Sequence, residues 1–308
     1  MTARLLSQNL EQAERTGHAR SLLARDGARI AGWVLLRAYR AAGEPGGAPE
    51  VTAMLSSKHG VGGLSALCVD PDLRERGVGR ALLAAGEAWL RERRAVRATT
   101  AYGPYHFLPG VPERSGAVSA FLERHGWSAG STCVDLSADV SQFEAPPQVL
   151  ERARRDLPAV EFRPLRAGEE SRLLDFLHLE FPGTWHVLLR DLVHSGRHDD
   201  VVVAVESGQL LAFCQVHDER SPRLSGSTAW HPALGAAYGG LGPIGVAASQ
   251  RKRGLGLALL CMALAHQRDR GVRRMVIDWT TLEDFYGRVG FRVWRRYRQH
   301  SRSLDPAD

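Results

Sequence analysis

From Val78 the apolar side chains return at Leu82, Ala85 and Trp89, with Leu83 and Leu90 beside them. Steps of three and four residues gather these on one face, so the spacing predicts an amphipathic helix. The same rhythm predicts a helix over 255–270 and others over 169–181 and 185–194. Elsewhere the apolar runs are short and bounded by turn residues, as in strands. Residues 21–36 carry Asp26-Gly27 between two such runs, a hairpin signal, and 200–206 with 209–216 repeat it across Ser207-Gly208. Strands are also predicted over 64–69, 95–102, 132–136, 160–165, 241–247 and 273–279, with two closing strands over 291–294 and 297–303. Short helices are predicted up to His125, where Gly126-Trp127 stops the pattern, and over 281–288.

The order strand, turn, helix, strand, helix, strand occurs twice, each time beside a hairpin. That predicts an α/β (α+β) chain of two tandem modules, each a mixed twisted sheet flanked by helices. A length of 308 residues suits two domains. The expected division is an N-terminal module over 1–140, a linker over 141–158 and a C-terminal module over 159–308. The linker reading rests on Ala145-Pro146-Pro147 and the charged run 151–156, with room for one helical piece. Residues 41–48 read as a Gly/Pro-rich loop, and 102–114 as a loop rich in Gly, Pro and aromatics.

Composition narrows the function classes. Apolar and charged fractions of 44% and 24% are those of an ordinary globular protein. No run approaches the roughly 18 apolar residues of a membrane span, and residues 1–8 lack a secretory apolar core. Cys68, Cys133, Cys214 and Cys261 are scattered, without metal-ligand or redox spacing, so no metal and a cytoplasmic location are expected. The net charge of +6 is carried almost wholly by arginine. Such a surface suits an anionic cofactor, a nucleic acid or neither. No recognition motif accompanies it, so nucleic acid is the least supported partner. The densest run, Trp294 to Arg298, alternates like a solvated strand face.

The chemistry lies in a repeated phrase. Arg74-Glu75-Arg76-Gly77-Val78-Gly79-Arg80 follows the first buried strand, which ends Cys68-Val69, and Arg251-Lys252-Arg253-Gly254-Leu255-Gly256-Leu257 follows the second, which ends Ile244-Gly245-Val246. A Gly-rich turn opening a helix aims several backbone N–H groups at one point, and the helix dipole adds positive charge there. Neither copy has the Gly-Lys-Ser/Thr ending of a P-loop or the third glycine of a dinucleotide fingerprint. With Val69-Asp70-Pro71-Asp72 and Val246-Ala247-Ala248-Ser249 upstream, both copies resemble the acetyl-CoA motif of the GCN5-related N-acetyltransferases (GNAT). Phe285-Tyr286-Gly287-Arg288-Val289-Gly290-Phe291 resembles that family's closing helix-to-strand segment. Members with two fused modules, among them mycothiol synthase and the glucosamine and muropeptide N-acetyltransferases, are similarly arranged.

The resemblance implies acetyl-CoA as co-substrate and a primary amine of a small molecule as acceptor, an amino sugar or cell-wall fragment fitting that class. It implies that Gly77, Gly79, Gly254 and Gly256 let the backbone close on the diphosphate, with Arg74, Arg76, Arg80, Arg251, Lys252 and Arg253 adding charge. The strand before the turn would splay to admit the pantetheine arm, which Leu241-Gly242-Pro243 suits. A backbone N–H near Val246 would face the acetyl carbonyl. Tyr286 would protonate the departing thiolate. Counting back alike from Gly126 gives Leu122, which has no proton to donate. The second half is therefore expected to carry the chemistry, and a non-catalytic acyl-CoA sensor or scaffold stands as the alternative for the chain. The usual position of the family's base falls near Gly240, so Asp278, Glu283, His231 and Asp218 are the substitutes. Residues 102–110 and Phe181-Pro182-Gly183-Thr184-Trp185 are candidate acceptor walls. The oligomeric state has no signature.

Overall fold

A computed structural model describes residues 2–8, 19–38, 60–100 and 106–305. The predicted loop at 41–48, the front end at 9–18 and Tyr102 to Tyr105 of the aromatic loop lie outside the described residues. Two compact units divide the chain: Met1–Cys133 with Arg295–Asp308, and Val134–Trp294.

The first unit opens with β1 (Ala19–Asp26) and β2 (Arg29–Ala38), joined at Gly27, whose φ of 59° is the left-handed value such a turn requires. Then come β3 (Val61–Val69), α1 (Val78–Glu92), β4 (Arg97–Thr99), a two-residue β5 (Val111–Pro112) and α2 (Gly116–Arg124). Strand β6 (Ser128–Asp139) runs from this unit into the second.

The second unit continues with α3 (Pro147–Asp156), β7 (Val160–Pro164), α4 (Glu170–Glu180), α5 (Thr184–Val193), β8 (Val201–Glu206) and β9 (Gln209–Asp218). It closes with α6 (His231–Leu234), β10 (Tyr238–Val246), α7 (Leu255–Asp269), β11 (Arg274–Thr280) and α8 (Glu283–Gly287), and β12 (Arg292–Ser303) returns the chain to the first unit.

One expectation is corrected. The closing segment is one twelve-residue strand rather than two. Arg295-Arg296 contains no Gly, Pro, Asn or Asp, so nothing turns the chain there. The helical piece for which 141–158 has room is a ten-residue helix, α3, with proline at its first turn. Proline fits there because the first helical N–H has no intrahelical partner to lose.

The second unit's sheet runs β6-β11-β10-β9-β8-β7, and only β10 and β11 are parallel neighbours. Its core is packed by α7, in which Leu255, Leu259, Leu260, Ala263 and Leu264 are all buried. The first unit's sheet runs β1-β2-β3-β4-β12, and β5 also pairs with β12. Its core is built on Val34, Leu36, Leu82, Leu90 and Trp127. Glu87, 5% exposed, is buried with its charge answered. Trp127 Nε1–H donates to it at 2.9 Å, and Arg302 of β12 donates to both carboxylate oxygens at 3.0 and 2.9 Å.

Candidate active site

In the second unit, β10 keeps β11 as a neighbour only from Tyr238 to Leu241, paired with Arg274 to Ile277. On its other side it stays paired with β9 to its end, with a register shift between Leu241 and Ile244. Gly242 sits at the break with φ 137°, and Pro243 has no N–H to offer a ladder. Ile244, Gly245 and Val246 therefore have one edge satisfied by Cys214, Phe213 and Ala212 of β9 and the other turned away from β11. An extended polar chain can lie along such an edge. Gly245 is required by packing: a Cβ there would stand 2.7 Å from both Phe181 Cζ and Phe213 Cε1.

The turn after β10 enters α7 through Lys252 at φ 67° and Gly254 at φ 87°, with no side chain capping the helix. Arg251 is turned back on its own strand, its Nε–H donating to the Val246 carbonyl at 3.2 Å. It braces the turn. Arg253 is hydrogen-bonded to Gln250 and lies 3.9 Å from Glu206. Over the turn is a cavity of about 490 Å³ lined by Arg152, Arg251, Lys252, Arg253 and Arg288, with no Asp or Glu in its wall. Gly254, Leu255, Gly256 and Leu257 form its floor. Uncapped N–H groups at a helix tip under five cationic side chains fit a polyanion such as a diphosphate. Among the described residues no cluster of three or more His, Cys, Asp or Glu is arranged to hold a metal ion.

Tyr286, on α8, is 5% exposed and packs edge-on against Phe285 at 4.9 Å. Burial pushes its phenol well above the ordinary value, with Cys214 and Asp278 adding to the effect. It is thus a protonated group across the physiological range. His217, on β9, has its Nε2 3.2 Å from the Gly242 carbonyl oxygen at the strand break. Burial holds the imidazole below its usual pKa, so the neutral ring makes that bond by donating from Nε2.

The four base candidates separate. Asp278 Oδ1 would lie 4.0 Å from a Cβ on Gly242, at the strand break. Asp218 is 3% exposed and is held by Arg270 at 2.6 Å and Arg220 at 2.8 Å, so its carboxylate is committed to a buried ion cluster. His231 Nδ1 is 3.3 Å from the Thr228 carbonyl, and its ring stacks on Tyr238. Glu283 opens the first turn of α8.

The first unit repeats the backbone of the turn. Glu75 and Gly77 have φ 61° and 86°, and Arg74 Nε–H donates to the Val69 carbonyl at 3.4 Å, as Arg251 does to Val246. β3 keeps β4 only from Val61 to Gly63. A Cβ on Gly79 would meet Phe121 and Val69; one on Gly256 would meet Val246 and Phe285. Phe121 and Phe285 therefore correspond, and the next residue is Leu122 in one unit and Tyr286 in the other. Leu122 is 1% exposed and lies in the core. Cys68 is exposed beside Val69, and Arg76, Val78 and Arg80 line the start of α1.

Of the candidate acceptor walls, Phe181 and Trp185 stack at 5.3 Å and close over Gly245 through Phe181 and Phe213. Phe107 is buried and presents no stacking face. Arg152 lies outside every motif, and Arg288, within the closing segment, carried no expected role. Arg152 hides in a segment whose prolines signal a linker, although Arg152 and Asp156 stand at the four-residue spacing of a helical ion pair.

A model of the Acetyltransferase (GNAT) family matches residues 3–103 and 171–291. No curated protein matches the sequence. Among solved structures, the chain is similar to a GCN5-related glucosamine N-acetyltransferase region in a fungal multi-domain GH3 β-N-acetylglucosaminidase, with 26% identity and a TM-score of 0.84. That match covers 98% of this chain but 34% of the fungal one, so this chain spans about a third of its length. A GCN5-related N-acetyltransferase from Sphaerobacter thermophilus shares the fold at 20% identity and a TM-score of 0.64, covering 98% of this chain and 86% of that one. A tandem GNAT protein from the clavulanic acid biosynthesis pathway does so at 17% identity and 0.57, covering 94% and 84%. The family model spans well over half of the chain and covers a Gly-rich turn in each unit, and the chain belongs to the Acetyltransferase (GNAT) family.

Proposed function

We propose that the chain is an acetyl-CoA-dependent N-acetyltransferase whose second unit transfers the acetyl group to the primary amine of a small molecule, an amino sugar or cell-wall fragment. The observation that carries this is the acid-free, five-cation cavity over an uncapped helix tip, beside a strand that parts from its neighbour. The amides of Leu255, Gly256 and Leu257 would hold the diphosphate, and the open edge of Ile244 to Val246 the pantetheine arm. Bound there, acetyl-CoA supplies the thioester.

Direct transfer in a ternary complex needs three things of the protein. The Val246 N–H faces the developing oxyanion. Asp278, alone of the four candidates standing at the strand break, takes the proton from the acceptor amine. The Tyr286 phenol gives its proton to the thiolate as the C–S bond breaks. A phenol kept protonated by burial is suited to that donation. The amino-sugar class is supported by the glucosamine N-acetyltransferase region at 26% identity and by the exposed aromatic edge of Trp185, which suits a sugar ring.

For the first unit a second reading is favoured by a specific residue. Leu122 occupies the place of Tyr286 behind a turn of the same backbone shape, so that unit binds acyl-CoA without turnover, or serves as scaffold.

CoA release measured across a panel of amines with glucosamine included tests the proposal. Activity is expected with at least one amino sugar. Tyr286→Phe should lower kcat by about a hundredfold or more while acetyl-CoA binding measured by calorimetry is unchanged. Unchanged turnover in that variant removes the phenol from the mechanism, and tight binding with no release on any amine favours a sensor.

A further inference from the structure

Helix α3 belongs to neither segment that matches the family model, yet it forms one wall of the cavity. Gln148, Val149, Arg152, Ala153 and the following Leu157 all line it. Arg152 comes nearest to the turn. Its Nε lies 3.1 Å, and its Cζ 3.4 Å, from where a Cβ on Gly254 would stand. The guanidinium thus packs on the bare face of the residue that starts α7.

The first unit answers the same need differently. There the cation beside the equivalent glycine is Arg80, whose Nη2 lies 3.9 Å from a Cβ position on Gly77. Arg80 is the last residue of the repeated phrase, and in the second unit that place is taken by Leu257. The arginine lost from the phrase is replaced from outside it.

The charge balance agrees. Among the described residues Arg152 shares its one acidic partner, Asp156 at 3.3 Å, with Arg155 at 2.8 Å. One carboxylate between two guanidinium groups leaves a net positive charge at the cavity wall. Among the described residues Lys252 and Arg288 make no ion pair. Arg251 and Arg253 already have acceptors in Val246, Gln250 and Glu206.

We propose that Arg152, from the segment between the two repeats, is a phosphate-binding residue of the second unit, closing on a phosphoryl group of the coenzyme beside Gly254. The proposal rests on the coenzyme site described above and extends it beyond the family's own segments. The phosphoryl group is that of the diphosphate or the 3′-phosphate, which share the chemistry that a guanidinium recognises.

Calorimetry on the full chain with acetyl-CoA, and separately with CoA and 3′-dephospho-CoA, tests it. Arg152→Gln should weaken acetyl-CoA binding by about tenfold, with Arg152→Lys recovering part of the loss. Arg155→Gln, which alters the same acidic partner without facing the turn, should bind as the wild type does. A loss seen with CoA but not with 3′-dephospho-CoA assigns Arg152 to the 3′-phosphate, and an equal loss with both assigns it to the diphosphate. Wild-type affinity in Arg152→Gln, with its thermal midpoint unchanged, overturns the proposal and leaves the coenzyme site standing. An absence of acetyl-CoA binding in the wild type itself overturns the site and this proposal together.

Discussion

Gly254 does two jobs, which a comparison with Gly271 separates. Its φ of 87° is a left-handed value that costs a side-chain-bearing residue about 1 to 2 kcal/mol, and its bare face receives Arg152. Gly271 has the same φ of 87°, with nothing within 4 Å of a Cβ position, and it lies outside the cavity wall. Gly254→Ala and Gly271→Ala should therefore lose similar stability in denaturant titrations, about 1 to 2 kcal/mol each. Only Gly254→Ala should also lose acetyl-CoA affinity. Equal affinity in the two variants contradicts the role given to the turn. At this scale the glycines, the braced arginines and the tyrosine were all legible, because the phrase is local and short. The conduct of Arg74 and Arg251 was not: a sequence marks them as cations without saying that each is spent on its own strand's carbonyl.

The elements that matter to the site are a broken strand and the helices around it. Periodicity revealed α1 and α7, whose apolar spacing is long and regular, and the turn residues Asp26-Gly27 and Ser207-Gly208 revealed both hairpins. Periodicity failed at β12, where alternation continues past the expected break, and it gave α3 no bounds, because proline at the first turn of a helix looks like a linker's proline. The front of the second unit is tied by Glu169, just before α4. Arg163 of β7 donates to both of its oxygens at 2.7 and 2.8 Å, and the Arg166 N–H donates at 3.0 Å. The Arg163 hydrogen bonds lead in holding its carboxyl at about 2, from an ordinary 4.5. A depressed carboxyl stabilises the fold in full above its unfolded value and loses that contribution as pH falls through its folded one. The stability of the wild type should therefore decline between pH 4.5 and 2 more steeply than that of Glu169→Gln. At neutral pH the variant should be less stable by about 1 to 2 kcal/mol, as thermal or urea unfolding will read. Parallel pH profiles would deny the ion pair that role.

Across the whole molecule, two repeats in sequence become two units that do not each close on their own stretch of chain. The second unit's sheet begins with β6, which starts in the first half, and the first unit's sheet ends with β12, which starts in the second. The repeat itself was plain in the duplicated phrase. This exchange was not, because a strand's alternation says which face is buried but not which neighbour it will find. The asymmetry between the units, by contrast, could be read from Leu122 against Tyr286, and Phe121 and Phe285 align them in space.

A crystal structure of the chain grown with saturating acetyl-CoA tests the central claim most directly. The account predicts the diphosphate on the main-chain amides of Leu255 to Leu257 and the thioester sulfur within hydrogen-bonding reach of the Tyr286 hydroxyl. Coenzyme bound elsewhere on the second unit, with that turn left bare, would contradict it.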